Sequence, residues 1–259
     1  MNTSAAFVPA PMPIDRVVRV YFTEAKYESL RMLRAPAFAV PFLLVPVALY
    51  SFFGALSAGN PAANPNVPSY LFTGFSVFGA MGPALFGFGM ALALEREQGV
   101  LQLKRALPMP PAAYLSAKML MAMFFAGLTS ISISIAAIAF DRVELSPERL
   151  IGIFAIIVIG TIPFGAIGLF IGARVSGRAA PAVVNVVYLA MVYLSGLFIP
   201  LPASVRWIAA FSPAFHLNQL CLAMAGVGSI MTQTMHMAAL AGVAVLFAGL
   251  TIRRLTRVG

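Results

Sequence analysis

Residues 70–94 read YLFTGFSVFGAMGPALFGFGMALAL, 25 positions from Tyr70 to Leu94 without an Asp, Glu, Lys or Arg. A hydrocarbon core about 30 Å thick is crossed by about 20 apolar residues in one helix, so this stretch is long enough to span a bilayer unaided. It closes a 60-residue run between Arg34 and Glu95 that carries no charge, enough for two spans.

Further uncharged runs cover 119–140, 150–173, 179–205 and 207–252. The first three hold one span each, and the last holds one span preceded by a shorter apolar segment. The spans predicted are 36–56, 70–94, 119–140, 150–173, 179–200 and 232–252. Buried strands also read as apolar runs, but they are short, and in lipid only helices and closed barrels satisfy every backbone polar group. The fold class expected is an all-α integral membrane protein with six transmembrane helices. Composition agrees: of 259 residues, 61% are hydrophobic and 10% charged, with a mean hydropathy of +0.93, against about 45–50% and about 25% in ordinary soluble domains.

Lys and Arg collect on the cytoplasmic side of membrane spans. One set of alternate segments holds Arg16, Arg19, Lys26, Arg31 and Arg34, then Arg96, Lys104, Arg105 and Lys118, then Arg174 and Arg178, then Arg253, Arg254 and Arg257. The other holds only Arg142, Arg149 and Arg206. Fourteen against three predicts an N-in/C-in topology, with both termini cytoplasmic. The net charge of +9 is thereby spread over four membrane-flanking segments. It suits anionic lipid headgroups and forms no single patch for nucleic acid.

Residues 1–13 are rich in Pro and Ala and read as a mobile tail. Over 14–34, a turn of 100° per residue places Ile14, Val17, Val18, Tyr21, Phe22, Ala25 and Met32 on one side and most charges on the other. Glu28, Val20 and Leu30 break that pattern. The expectation is an amphipathic helix at the cytoplasmic interface, followed by a six-helix transmembrane body over 35–259. The first span reads as a retained anchor, because the charged region before it is long and its apolar stretch exceeds the about 7–15 residues of a signal peptide. Cys221, the single cysteine, reads as a small core residue.

No Gly-Lys dipeptide, His-Glu-x-x-His or Gly-x-Ser-x-Gly occurs, so phosphate-loop, zinc-hydrolase and serine-hydrolase signatures are missing. His216 and His236, twenty residues apart, offer a poor metal site. No catalytic or metal-binding residue is therefore predicted. The spans also lack ionisable groups away from their ends, which leaves ion coupling without a carrier.

After the second span comes Glu95-Arg96-Glu97-Gln98-Gly99-Val100-Leu101-Gln102-Leu103-Lys104-Arg105-Ala106-Leu107-Pro108, with Lys118 ten residues beyond. This resembles the ABC-2 type exporter permeases, whose corresponding segment runs Glu-Arg-Glu-x-Gly-Thr-x-Glu, ends in Pro, and is followed by Gly-Lys at this distance. Glu95, Arg96, Glu97, Gly99, Pro108 and Lys118 match in register, while Val100, Gln102 and Ala117 depart from the usual Thr, Glu and Gly. After the fifth span, Ser195-Gly196, Pro200, Trp207 and Ser212-Pro213-Ala214-Phe215-His216 resemble the family's outer re-entrant helices. Residues 201–231 are too apolar for an exposed loop, yet Pro202, Pro213, Gly226 and Gly228 prevent a clean span.

The resemblance implies a permease subunit of an ATP-binding-cassette exporter in the bacterial inner membrane. It implies an ATPase-coupling role for Glu95, Arg96, Glu97, Gly99, Pro108 and Lys118, in a loop over 95–111 with a short polar helix. It further implies a separate ATPase subunit in two copies, carrying the ATP and Mg, and a second permease copy or a paralogous permease. Trp207, Pro213 and His216 would belong to the re-entrant segment. Gly168-x-x-x-Gly172 and the small residues of the second span permit close helix approach. Uncharged spans rich in Phe and Met favour a hydrophobic or amphipathic cargo. Asn185, Tyr188 and Tyr193 are candidates to hydrogen-bond it, or to join helix to helix. A membrane-embedded enzyme and a non-transporting membrane anchor are the alternatives.

Overall fold

The computed structural model describes residues 13–57, 66–106, 110–140 and 145–258. The predicted tail over 1–13, apart from Pro13, lies outside the described residues. Every regular element among them is helical: α1 (Ile14–Leu33), α2 (Pro36–Ser57), α3 (Val67–Glu97), α4 (Val100–Ala106), α5 (Pro111–Ala139), α6 (Pro147–Ile159), α7 (Ile162–Gly172), α8 (Ala180–Leu194), a 3-10 turn (Ala203–Val205) leading into α9 (Arg206–Ala209), α10 (Pro213–Ala225) and α11 (Gln233–Val258). Proline sits in the first turn of α3, α5, α6, α7, α8 and α10, where its missing N–H leaves no bond unmade and its fixed φ suits the helix.

Five stretches among the described residues are long and apolar enough to cross a membrane: Pro36–Leu56, Val67–Glu97, Ala112–Ala139, Pro147–Gly172 and Gln233–Arg253. The chain is thus a multi-pass membrane protein. A sixth is reached if the pair Ala203–Ala209 and Pro213–Ala225, bent by 113°, counts as one span.

α3 is the central post. Phe72, Phe75, Val77, Met81, Leu85 and Phe88 along it are all buried, and it packs against α2, α5, α7, α8 and α10. Its crossing with α7 depends on absent side chains. A Cβ on Gly168 would lie 2.9 Å from Ala84 O, and one on Gly172 would lie 2.6 Å from Phe88 O. Polar bonds fix the ends of the bundle. At one end Arg96 Nη2 donates to Val175 O (2.8 Å), and Arg174 Nη2 donates to Leu250 O (3.1 Å). That end gathers the last turn of α3, the turn after α7 and the last part of α11. At the other end the Tyr70 hydroxyl donates to Gly196 O, and Arg149 Nη1 donates to Ala225 O (3.2 Å).

The structure differs from the sequence expectation in three places. The second span runs past 94, so Glu95, Arg96 and Glu97 form the last turn of α3 rather than a loop. The fourth is broken at Gly160 and Thr161, two residues before Pro163, which has no N–H to donate to a helical hydrogen bond. The fifth, expected over 179–200, is helical only over Ala180–Leu194, about 22 Å at 1.5 Å per residue. Ser195 caps it, and Gly196, at φ +63°, turns the chain away in a conformation that side chains disfavour.

Other breaks are repaired. Pro46 in α2 leaves the carbonyl of Phe42 without its helical donor, and Thr129 Oγ1 from α5 donates to that oxygen at 3.1 Å. Such repair by a neighbouring helix is what allows proline inside a span.

Candidate functional site

The site is built from the charged end of the bundle. α3 stops because Gln98 caps it and Gly99 takes φ +74°, a left-handed turn that releases the chain sideways. The seven residues of α4 follow, and then α5. α4 is therefore a short polar helix hung between two long ones.

Glu95 points inward. Its carboxylate accepts from Arg31 Nη2 (2.7 Å) and Lys118 Nζ (3.1 Å), and from the Tyr114 hydroxyl. Lys118, whose side chain is 0% exposed, also donates to Glu28 Oε1 (2.8 Å), as does Arg31 (2.7 Å). Its ammonium stands 5.1 Å from the Tyr114 ring centroid. Two carboxylates and two cations thus lock α1, α3 and α5 together, and the tyrosine hydroxyl fills a further acceptor site. Each charge has an opposite partner, the condition under which burial of ions is tolerated. A more exposed pair, Lys104 Nζ to Glu24 Oε2 at 2.5 Å, ties α4 to α1.

Residues 19–225 match the ABC-2 type transporter family. The chain belongs to that family. A relative from Bacillus subtilis (strain 168), named "Putative transport permease YvfS", is 28% identical over 198 residues, 73% of this chain and 78% of the relative. The ABC-2 family is a family of transport permeases rather than of catalysts, and its permeases work with an ATPase subunit.

Within this ABC-2 permease the residues singled out in the sequence fall into separate groups. Glu95 and Lys118 face each other inside the protein. Arg96 holds Val175 O, and Glu97 is exposed beside Gly177, where a Cβ would come within 2.6 Å of its Oε2. Gly99 forms the turn, and Pro108 lies outside the described residues. Asn185 and Tyr193 are exposed on α8, whereas Tyr188 is buried and donates to Phe78 O at 3.3 Å. Trp207 is exposed and Pro213 buried.

His216 meets a partner that spacing did not reveal. Its Nδ1 lies 2.8 Å from His236 Nδ1, and its Nε2 lies 2.8 Å from Ala210 O. A carbonyl only accepts, so His216 donates through Nε2. In the neutral pair His236 Nδ1 must then donate to His216 Nδ1. The bond ties α10 to α11. His236→Phe is expected to leave a buried nitrogen unpaired and cost about 1–3 kcal/mol. Thermal unfolding in detergent would show it, with the double variant His216→Phe/His236→Phe recovering part of the loss.

Proposed function

We propose that this permease is the membrane half of an exporter that moves a hydrophobic or amphipathic cargo out of the cytoplasm, driven by ATPase subunits that grip the segment 95–111. The observation that carries this reading is α4 suspended between α3 and α5, with the bases of both locked to α1 by buried charge. Force applied to α4 would reach, through the Gly99 turn, the foot of a helix that is held by buried charge. Closure of two ATPase subunits around ATP and Mg, both held by those subunits, would tilt α3 and α5 together. In this reading Glu95 and Lys118 act by holding the joint, and Glu97, Gly99 and the α4 helix by meeting the ATPase.

The charged end is then cytoplasmic, in accord with the fourteen basic residues predicted there. The crossings are α2, α3, α5, the α6–α7 pair, α8 and α11. Residues 201–231 form an outer re-entrant segment, supported by the 113° bend and by α10 running antiparallel to α6, from Leu217 beside Gly160 to Ala225 beside Arg149. α1 lies at the inner interface of the bacterial cytoplasmic membrane, with exposed Ile14, Val18 and Phe22 turned to the acyl boundary. The permease body is 35–259. Asn185 and Tyr193, exposed on one flank of α8, favour a second permease against that flank, a copy or a paralogue, with cargo passing between them, because an amide facing lipid lacks partners.

Gly99→Pro tests the coupling role. Proline cannot adopt φ +74° and cannot donate the Gly99 N–H to Arg96 O. Co-purified with its ATPase, this variant is expected to lose at least about ten-fold in permease-stimulated ATP hydrolysis, corresponding to about 1.4 kcal/mol. Gly99→Ala is expected to do less. Wild-type association and stimulation in Gly99→Pro would defeat the assignment.

A further inference from the structure

A groove of about 410 Å³ runs between α7, α8 and α11, walled by Ile167, Phe170, Val183, Val187, Met191 and Phe247, within the about 300–1,000 Å³ typical of ligand sites. Its wall is almost wholly apolar, and one end is lined by Phe211 and Pro213 at the turn between α9 and α10. The other end is cationic. Arg174 lines it, with the guanidinium 3.7 Å from the Phe170 ring centroid and one nitrogen held by Leu250 O. Arg178 is exposed in the same turn, and Arg253 is exposed within one turn of Leu250. Among the described residues the carboxylate beside this turn is that of Glu97, next to Gly177, against the three guanidinium groups of Arg174, Arg178 and Arg253.

We propose that this groove is a site for one anionic phospholipid of the cytoplasmic leaflet, its acyl chain in the groove and its phosphate at Arg174 and Arg178. From Val183 to Met191 the wall spans about 12 Å of helix, close to the about 15 Å depth of one leaflet's hydrocarbon. A basic pocket between spans on the cytoplasmic side is the arrangement that captures anionic headgroups, and guanidinium groups suit phosphate oxygens in paired hydrogen bonds. A second permease is not the occupant. Val183, Val187 and Met191 recur every four residues on one flank of α8, whereas Asn185, Leu189 and Tyr193 recur on another. The assignment rests on the proposed function in two respects, the inward orientation that names the leaflet and the Asn185 flank given there to the second permease.

Native mass spectrometry of the purified permease–ATPase complex, with phosphatidylglycerol and phosphatidylcholine of identical acyl chains, tests it without reference to transport. Wild-type protein is expected to retain phosphatidylglycerol at least about five-fold over phosphatidylcholine. Arg178→Gln, at an exposed position, should bring that ratio to about one. Val187→Trp should abolish retention of both lipids, and Val245→Trp, on the exposed side of α11, should change nothing. Equal retention of the two lipids by wild type, unchanged retention in Val187→Trp, or loss of the permease pair rather than of lipid in Val187→Trp would each overturn the proposal. Should Val187→Trp fail to fold, Arg178→Gln decides alone.

Discussion

Lys118→Met is expected to lower the unfolding free energy by about 3–5 kcal/mol, the cost of removing one partner from a buried ion cluster. The size follows from what stays behind. Without the ammonium, Glu28 and Glu95, with side chains only 14% and 8% exposed, share a single cation, Arg31, that is itself half exposed. Two carboxylates then sit close together with too little positive charge and little water. Removing a carboxylate as well should help: Lys118→Met/Glu95→Gln leaves Glu28 with Arg31 and is expected to regain a large part of the loss. The reference is Lys104→Met, whose pair with Glu24 is 29% and 27% exposed and is expected to cost below about 1 kcal/mol. Thermal unfolding of the three variants in lipid nanodiscs reads the series. A Lys118→Met protein as stable as Lys104→Met would mean that water enters the cluster freely, and the locked joint would be lost as an explanation of coupling.

The helical membrane class was legible because the solvent dictates it. A bilayer excludes charge over about 20 residues at a time, and that exclusion is written directly into the runs after Arg34, Lys118 and Arg149. Sharp ends and breaks were legible where proline or glycine enforces them, as at Pro213 and Gly226. What sequence could not supply was facing. Glu28 looked like a flaw in the amphipathic pattern of α1; it is turned inward because Lys118 waits there, 90 residues away. Arg31 and Tyr114 escaped notice for the same reason, since their meeting with Glu95 is decided by how three helices lean together. The His216–His236 bond depends on α10 doubling back toward the first turn of α11, and a separation of twenty residues carries no trace of that. The short fifth helix was overestimated because hydropathy registers apolar length and is blind to the left-handed turn at Gly196.

Gly172→Val is expected to cost about 3 kcal/mol or more, at the upper end of the range for overpacking. Most core substitutions that add volume are accommodated when a neighbouring side chain changes rotamer. Here the first atoms met are backbone: Phe88 O at 2.6 Å and Gly89 O at 3.0 Å from the new Cβ, with Leu92 Cβ also at 3.0 Å. None of these moves unless α3 itself moves. Since α3 carries Glu95 at its foot and Gly99 beyond it, separating α3 from α7 should also shift the base on which α4 hangs. The variant is therefore expected to lose both thermal stability and stimulation of the ATPase. Gly242→Val in α11 separates this effect from the general cost of a β-branched residue in a helix, because a Cβ there meets nothing within 4 Å; it is expected to stay within about 0.5 kcal/mol of wild type. If Gly172→Val matched Gly242→Val in unfolding temperature, the close α3–α7 crossing would not be what holds the bundle. If it lost stability yet kept full ATPase stimulation, force would have to reach the spans by a route other than the foot of α3.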